Sequence, residues 1–507
     1  MSVLAFLLAA LLALLSFIFY LLHRRMNYWR YQGIPHDPPH FFAGNLKGLL
    51  KTRSFAEILR EIYTNHKGSG PFCGYYLFQR PAVLVLDRAL IKCILIKDFN
   101  NFADRGIFHN EKDDPLTGHL FRLDGNQWRG LRNKLTPTFT SGKMKFMFPT
   151  VLKVADQLMD AVAKRIAANE YVWDWKEMMA CFTTDVIGNC AFGIECNSLQ
   201  DPHAEFRVMG RKIIGARRHG ALVNAFINSF PNAARSLRMA IMPQDITDFF
   251  LRIVRENVEY RQRNCVHAND FMNILMDLNK SKHLKSENDE MRALSVSEMT
   301  AQAFVFFVAG FETSATTLAF ALYELALHQD IQTRLRMEIT ETIKKHNNNL
   351  FSYECMEEMQ YMKMVLAETQ RKYPIAPNLM RQAAKDYVVP GHPEYVIKKG
   401  MMVTIPTIGI HYDPEIYPEP DTFDPERFAP EAVKLRDSVD WLPFGDGPRN
   451  CIGMRFGQMQ MCVGLTYLLR EYKFSACEKT QIPIVYQKSF PLFPQGGVHL
   501  KVEKVQT

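Results

Sequence analysis

The sequence predicts a mainly α protein with a small β region, tethered by an N-terminal helix. Three observations carry this. A capping box, Ser295-x-x-Glu298, opens a run that continues without proline to about Leu327, enough for a helix of roughly 48 Å. A second apolar-periodic stretch runs from Met454 to Tyr472. The strand signals, by contrast, are short: Tyr75 to Phe78 and Ala82 to Leu86 as a hairpin turning at Arg80-Pro81, then Val388 to Lys399, Met401 to Ile410 and Val498 to Val502.

At 507 residues and 47% hydrophobic content the chain can bury a large core. A net charge of +8 favours an acidic partner or a membrane surface. That charge is spread along the chain, and no basic run with interleaved aromatics points to nucleic acid. Ten scattered cysteines without a C-x-x-C pair read as reduced cytosolic thiols and argue against zinc.

In chain order, Val3 to Leu22 is twenty residues without a charge, which as a helix matches the bilayer core of about 30 Å. No cation precedes it and no small-residue cleavage site follows, so it is an anchor and not a cleaved leader. His23-Arg24-Arg25 and Arg30 place the remainder on the cytoplasmic side. Residues 26–45, with Pro35, Pro38 and Pro39, read as a stiff extended linker or an ordinary irregular loop. Ser54 to His66 is helical. Phe206 to Met242 carries seven Lys or Arg residues and no acid, Arg217 and Arg218 among them. Two helices there either pack on the core or dip into lipid headgroups.

The chemistry concentrates at F-G-D-G-P-R-N-C-I-G, Phe444 to Gly453. Gly445 and Gly447 permit crowded or left-handed backbone, and Pro448 stiffens the loop. The loop delivers Cys451 to a helix start, where unpaired amides and the helix dipole favour a thiolate. Arg449 adds a cation two residues away, and Gly453 leaves room for a flat group against the backbone. A thiolate so presented suits an axial haem ligand. A G-x-G-x-x-G dinucleotide loop fails because Asn450 takes the third glycine's place. A protease nucleophile would need a histidine that nothing local supplies.

The decapeptide resembles the haem signature of the cytochrome P-450 monooxygenases, with Phe444, Gly445, Gly447, Arg449, Cys451 and Gly453 all in place. The resemblance implies a single-domain cytochrome P-450 fold over 46–507, an anchor at 1–25 and a proline-rich hinge at 26–45. It implies haem b with Cys451 as the axial metal ligand and Phe444, Arg449 and Gly453 around it. Trp128 and Arg132, four apart on one helical face, match the family's W-x-x-x-R pair that binds a haem propionate, and Arg381 matches a second propionate-binding arginine. Ala309-Gly310-Phe311-Glu312-Thr313 resembles the oxygen-activation motif, in which Glu312 and Thr313 relay protons. Gly310 thins the helix so that a small molecule can sit against it. Glu368, Arg371 and Arg427 match the buried E-x-x-R triad completed from P-E-R-F.

Asn110 to Phe121 and Leu135 to Met144 resemble the insect branch of microsomal members, associated with detoxifying plant compounds and insecticides. Endoplasmic reticulum membrane is the location implied, with the catalytic domain facing the cytoplasm. The chain has no nucleotide or flavin motif, so the resemblance implies NADPH-cytochrome P-450 reductase as electron donor, with cytochrome b5 as an alternative one. A basic proximal face including Arg129, Lys134 and Arg455 would suit that acidic partner. A haem enzyme that rearranges peroxides, or a haem sensor, would not need Glu312 and Thr313. Phe306 and Phe307 either line the substrate pocket or pack into the core.

Overall fold

A computed structural model describes residues 3–215, 218–268, 270–280, 294–346, 351–489 and 491–505. The uncharged run forms α1 (Val3–Met26), apolar and long enough to cross a bilayer and exposed from Val3 to Leu21. After α2 (Tyr28–Gln32) the chain lies against the first sheet. Trp29 covers Gly74, where a Cβ would come within 2.3 Å, and Gly74 N–H donates to Pro35 O at 2.8 Å. The helix expected at Ser54 is α3 (Phe55–His66), closed by a Ser54–Glu57 capping box.

The first hairpin, β1 (Phe72–Leu77) and β2 (Arg80–Val85), turns at Phe78-Gln79 and not at Arg80-Pro81. Phe78 takes φ +55°, supplying the backbone twist of a two-residue loop, while Pro81 sits inside β2 opposite Tyr76. Next, α4 (Arg88–Lys92) runs into a π-helical turn, Cys93–Lys97. It is followed by α5 (Gly125–Leu135), α6 (Ser141–Ala167), β3 (Val172–Asp174) and α7 (Trp175–Ile187).

The basic segment holds three helices rather than two: α8 (Glu205–Gly215), α9 (Ala221–Ser229) and α10 (Pro231–Ser236). Pro231, at the first position of α10, starts the additional helix. Arg217 lies outside the described residues; Arg218 donates to Met242 O at 2.8 Å. Beyond it come α11 (Gln244–Asn264) and α12 (Phe271–Lys280).

The expected long helix is α13 (Val296–Leu327), opened by the Ser295–Glu298 capping box. It is buried over most of its length, as an all-round apolar helix must be inside a protein, and centres the main core. Around it follow α14 (Gln329–Lys345), α15 (Tyr353–Glu358), α16 (Gln360–Lys372) and β4 (Leu379–Gln382). The strand expected at 388–399 is a hairpin, β5 (Tyr387–Val389) and β6 (His392–Ile397), because Pro390-Gly391 turns the chain with Gly391 at φ +82°. The one expected at 401–410 stops early. β7 (Met402–Ile405) ends at Pro406, and α17 (Thr407–His411) replaces its second half. α18 (Pro430–Lys434), α19 (Met454–Glu471), β8 (Tyr472–Ser475) and β9 (His499–Lys504) complete the chain.

The strands make a four-stranded sheet in the order β1-β2-β7-β4, a three-stranded one, β3-β9-β8, and the β5-β6 ribbon. The four-stranded sheet carries a second core. The loop bearing Cys451 lies between the two. Leu379 and Leu95, packed with the sheet core, approach Gly445 and Gly447, while α19, which follows the loop, belongs to the core around α13.

Candidate active site

The loop before α19 folds on itself. Cys451 N–H donates to Phe444 O at 2.8 Å, Asn450 N–H to Gly447 O at 3.0 Å, and Asp446 caps the turn at Gly447–Arg449. Gly445 and Gly447 both take φ +69°, and a Cβ at Gly447 would strike Leu95 O at 1.9 Å, so glycine is obligatory there. Gly453 differs. Its φ is −89°, and the nearest protein atom to a Cβ there is 3.9 Å away, on Phe139. Neither backbone nor protein packing demands that glycine, which fits a flat group lying against it.

Cys451 keeps open surface although it lies deep among protein atoms, so it faces an interior space. Burial pushes its thiol up, against the Gly453 amide and the guanidinium groups of Arg132 and Arg105. The protein's dipoles alone therefore do not hold a thiolate; a coordinated metal deprotonates such a sulfur outright. Arg449 is not the cation beside it. Its Nη2 donates to Leu123 O at 2.6 Å and its guanidinium lies 4.3 Å from the Trp128 ring. Arg132 takes that place, with Nη1 on Asn450 O at 2.9 Å and Nη2 on Asn450 Oδ1 at 2.7 Å.

Arg381 and Arg449 are buried, and Arg105 joins them, donating to Phe121 O at 2.9 Å and to Arg449 O at 3.3 Å. Arg105 is a site residue that the sequence reading missed. Burial drives Arg381 and Arg449 down to about 10 and Arg105 well below its usual range, and in Arg105 and Arg381 repulsion from neighbouring arginines lowers them further. Asp124, 3.6 Å from Arg449, is the near carboxylate. Arg381 Nε and Arg449 Nε and Nη1 have no hydrogen-bond partner among the described residues. Buried guanidinium donors left open in this way call for planar carboxylates. The two propionates of a haem meet that need, and the donor set fits the group.

Facing the loop's helix is the centre of α13. Three successive carbonyls there receive side-chain donors: Ala309 O from Thr313 Oγ1 at 2.6 Å, Gly310 O from Gln460 Nε2 at 2.9 Å, and Phe311 O from Thr183 Oγ1 at 2.8 Å. Gln460, on α19, also donates to Ser314 Oγ, tying the helix after Cys451 to the motif helix. The space beside Gly310 belongs to Ile187 of α7, which a Cβ would strike at 2.4 Å. Gly310 thus serves helix packing, not a small molecule. Glu312 is buried and paired with Lys176 Nζ at 2.6 Å, its Oε2 unpartnered. Ala309 and Thr313, one turn apart, keep open surface. Phe307 is in the core against Phe250, Phe206 and Phe311, and Phe306 packs on Phe271 and Phe139.

The Glu368–Arg371 pair is fully buried and bidentate, at 2.7 and 2.8 Å. Arg427 Nε stands 3.5 Å from Glu368, an ion pair without a hydrogen bond, and Asp424 N–H donates to the same carboxylate at 3.0 Å. Arg371 Nη1 donates to His411 O at 2.9 Å. His411 Nε2 accepts from Leu442 N–H at 3.0 Å, so its proton sits on Nδ1 and is given to Arg371 O. His411 links the pair to the strand of chain that enters the cysteine loop, a connection with no local sequence mark.

A helix-rich fold, a cysteine on a glycine-stiffened loop and a cluster of buried, unsatisfied arginines define a haem-thiolate protein. The chain belongs to the cytochrome P450 family, whose pattern it matches over residues 35–502. It is similar to cytochrome P450 6a9 of Drosophila melanogaster, at 53% identity over 506 residues and the full length of both chains. Cytochrome P450 6a2 of the same fly is 50% identical over 510 residues and the full length of both chains, and cytochrome P450 6A1 of Musca domestica is 48% identical over 505 residues, 99% of this chain and 98% of that one. The chain is accordingly a monooxygenase that uses haem b bound through a cysteine thiolate.

Proposed function

We propose that the chain inserts one oxygen atom from O2 into lipophilic xenobiotics, plant compounds and insecticides among them, at the cytoplasmic face of the endoplasmic reticulum. Electrons come from NADPH through the separate cytochrome P450 reductase, with cytochrome b5 as an alternative donor of the second one. Residues 1–25 anchor the protein, 26–45 set the catalytic domain against that anchor, and 46–507 carry the chemistry. The observation that carries this reading is the set of open donors on Arg381 and Arg449 beside the Cys451 loop.

Haem, bound through Cys451, supplies the one-electron and O2 chemistry. The rest falls to side chains of this chain. Trp128, Arg105, Arg132, Arg381 and Arg449 hold the two carboxylates, and Phe444 and Gly453 shape the face around the sulfur. Thr313 holds a proton at Oγ1 on the open face of α13, and Glu312, paired with Lys176, is the acid behind it. Glu368, Arg371 and Arg427 brace the loop from below. The lipophilic substrate follows from the anchor, which places the enzyme where such compounds partition.

The test is a product profile from the full-length protein with purified reductase, NADPH and a panel of insecticides, fatty acids and steroids. Oxygenated insecticides should dominate; steroids alone as substrates would overturn the xenobiotic assignment. Cys451→Ser should abolish the red-shifted Soret band of the reduced carbon monoxide complex, and a band that survives would remove Cys451 as the ligand.

A further inference from the structure

Gln460, nine residues past Cys451 on α19, is a fully buried polar side chain between two glycines of one helical face. One turn before it, the atom nearest a Cβ at Gly457 is Ser314 Oγ of α13, at 3.7 Å. One turn after it, a Cβ at Gly464 would meet Phe182 at 3.0 Å and Leu318 at 3.6 Å. This stripe is where α19 lies against α13 and α7. A methionine would fill the same space with less desolvation. The amide is also only half answered: Nε2 donates to Gly310 O at 2.9 Å and to Ser314 Oγ at 2.6 Å, while Oε1 has no partner among the described residues. A carbonyl oxygen only accepts, so Gly310 fixes which end of the amide faces α13. A buried acceptor left open costs stability, so the fold alone gives no reason for an amide here.

What Nε2 grips is one turn of α13. In an α-helix the carbonyl of residue 310 and the amide of residue 314 close a single turn, and Thr313 lies inside it. Thr313 Oγ1 donates to Ala309 O at 2.6 Å, the carbonyl next to the one that Gln460 takes. A second donor on a mid-helix carbonyl draws it outward and loosens the ladder there, so Gln460 sets how far this turn opens. From the other side Thr183 of α7 donates to Phe311 O at 2.8 Å, and Ile187 sits against Gly310. Only α19, however, continues directly from the cysteine loop, starting at Met454. One helix and one amide therefore join the Cys451 sulfur to the turn that carries the Thr313 hydroxyl.

We propose that Gln460 is a positioning residue for the oxygenation reaction: its amide sets the Gly310–Ser314 turn against the helix that follows Cys451, and so fixes where Thr313 Oγ1 holds its proton. The proposal rests on the reading above, in which Thr313 supplies protons to the reaction. A hydroxyl held out of place delivers them badly, and dioxygen that has taken two electrons from NADPH and two protons then leaves as hydrogen peroxide instead of oxygenating the substrate.

The experiment compares Gln460→Met with wild type as full-length, haem-loaded protein, by peroxide released per NADPH consumed and by amide hydrogen exchange. Methionine keeps the volume and removes the donor. Peroxide per NADPH should rise about three- to tenfold, and exchange over residues 305–318 should quicken about tenfold, the effect of one lost hydrogen bond. The reduced carbon monoxide spectrum and the affinity for a lipophilic substrate should stay as they were. Gln460→Glu, which burial keeps protonated and able to donate to Gly310 O, should restore both readings. Ser314→Ala removes one of the two acceptors and should move both readings the same way by less; it decides the matter should Gln460→Met take up no haem. The proposal is overturned if peroxide release stays within twofold of wild type, if exchange quickens equally across the whole chain, or if Gln460→Glu restores nothing. Thr313→Ala is the reference: a variant of it that releases no more peroxide than wild type would sink the parent reading instead.

Discussion

Two sets of buried arginines in this chain teach opposite lessons. Arg371 is fully enclosed, and every direction it faces is answered: Glu368 twice, His411 O, and a weaker contact to Thr422 O at 3.3 Å. Arg105, Arg381 and Arg449 repel one another, and three of their donors have no partner among the described residues. A satisfied buried pair belongs to the fold. An unsatisfied cluster is a cost to the bare fold that an anionic group removes, so the same residue type marks a structural brace in one place and a ligand cradle in the other.

The comparison breaks most readily at Glu368. Glu368→Gln leaves Arg371 charged and alone, at a cost of about 3–5 kcal/mol. The expected outcome is little haem-loaded protein, read from the carbon monoxide spectrum per mole of chain; normal loading would show that the pair is dispensable. The cradle should behave with the reverse sign. Arg381→Met removes a repelled, partly unpartnered cation, so the apoprotein should become more stable to urea by ~1–3 kcal/mol. The holoprotein should nonetheless lose haem to an acceptor globin about tenfold faster. A variant that destabilises the apoprotein would place Arg381 with Arg371, among the braces.

What the sequence made legible was whatever one element fixes by itself. Three residues apart on a helix bring Glu368 to Arg371, and four apart align Trp128 with Arg132. The Ser295–Glu298 box set the start of α13 to the residue. Contacts between distant segments left no such mark. Arg105 reaches a carbonyl 344 residues later, and Lys176, Gln460 and His411 find partners on other elements. Arg449 shows the limit of proximity along the chain: two residues from Cys451, its side chain turns to Leu123 and Trp128 instead. Gly310 was legible as a thin point in a helix, but only the packing of α7 shows that Ile187 fills it.

His411 sharpens the account of the brace. Burial first, and Arg371 second, push its pKa down to about 3, from about 6.5 in an unfolded chain. Between those two values the unfolded chain binds a proton that the folded one refuses, so stability rises with pH there. It is fully present above about pH 6.5 and falls by ~1.4 kcal/mol per unit below it. At pH 5 this amounts to ~2 kcal/mol, and His119, also held well below its usual range by burial, adds to the slope. Denaturant titrations from pH 7 to 5 should show this loss, and His411→Gln should flatten it even while lowering stability overall. An unchanged slope would mean that His411 charges freely in the folded protein.

The smallest expected effect concerns Lys176, which ties Glu312 of α13 to α7. Glu312 and Thr313 are adjacent in sequence and so point about 100° apart on the helix: Thr313 towards open space, Glu312 towards Lys176. Arg207, whose charge is also felt at Glu312, keeps its own bidentate partner in Glu177 at 3.0 and 2.6 Å. Lys176→Gln therefore removes the direct counter-charge and leaves a distant one. The side chain still donates a hydrogen bond, so stability should fall by only about 1 kcal/mol. If Glu312 passes protons to Thr313, losing that tether frees the carboxylate from its place on α13, and the rate of product formation should fall. Binding of a lipophilic substrate, read from the haem spectrum, should stay where it was. A rate that does not change would make the Lys176–Glu312 pair a clamp between α7 and α13 and leave Thr313 to draw its protons from another source.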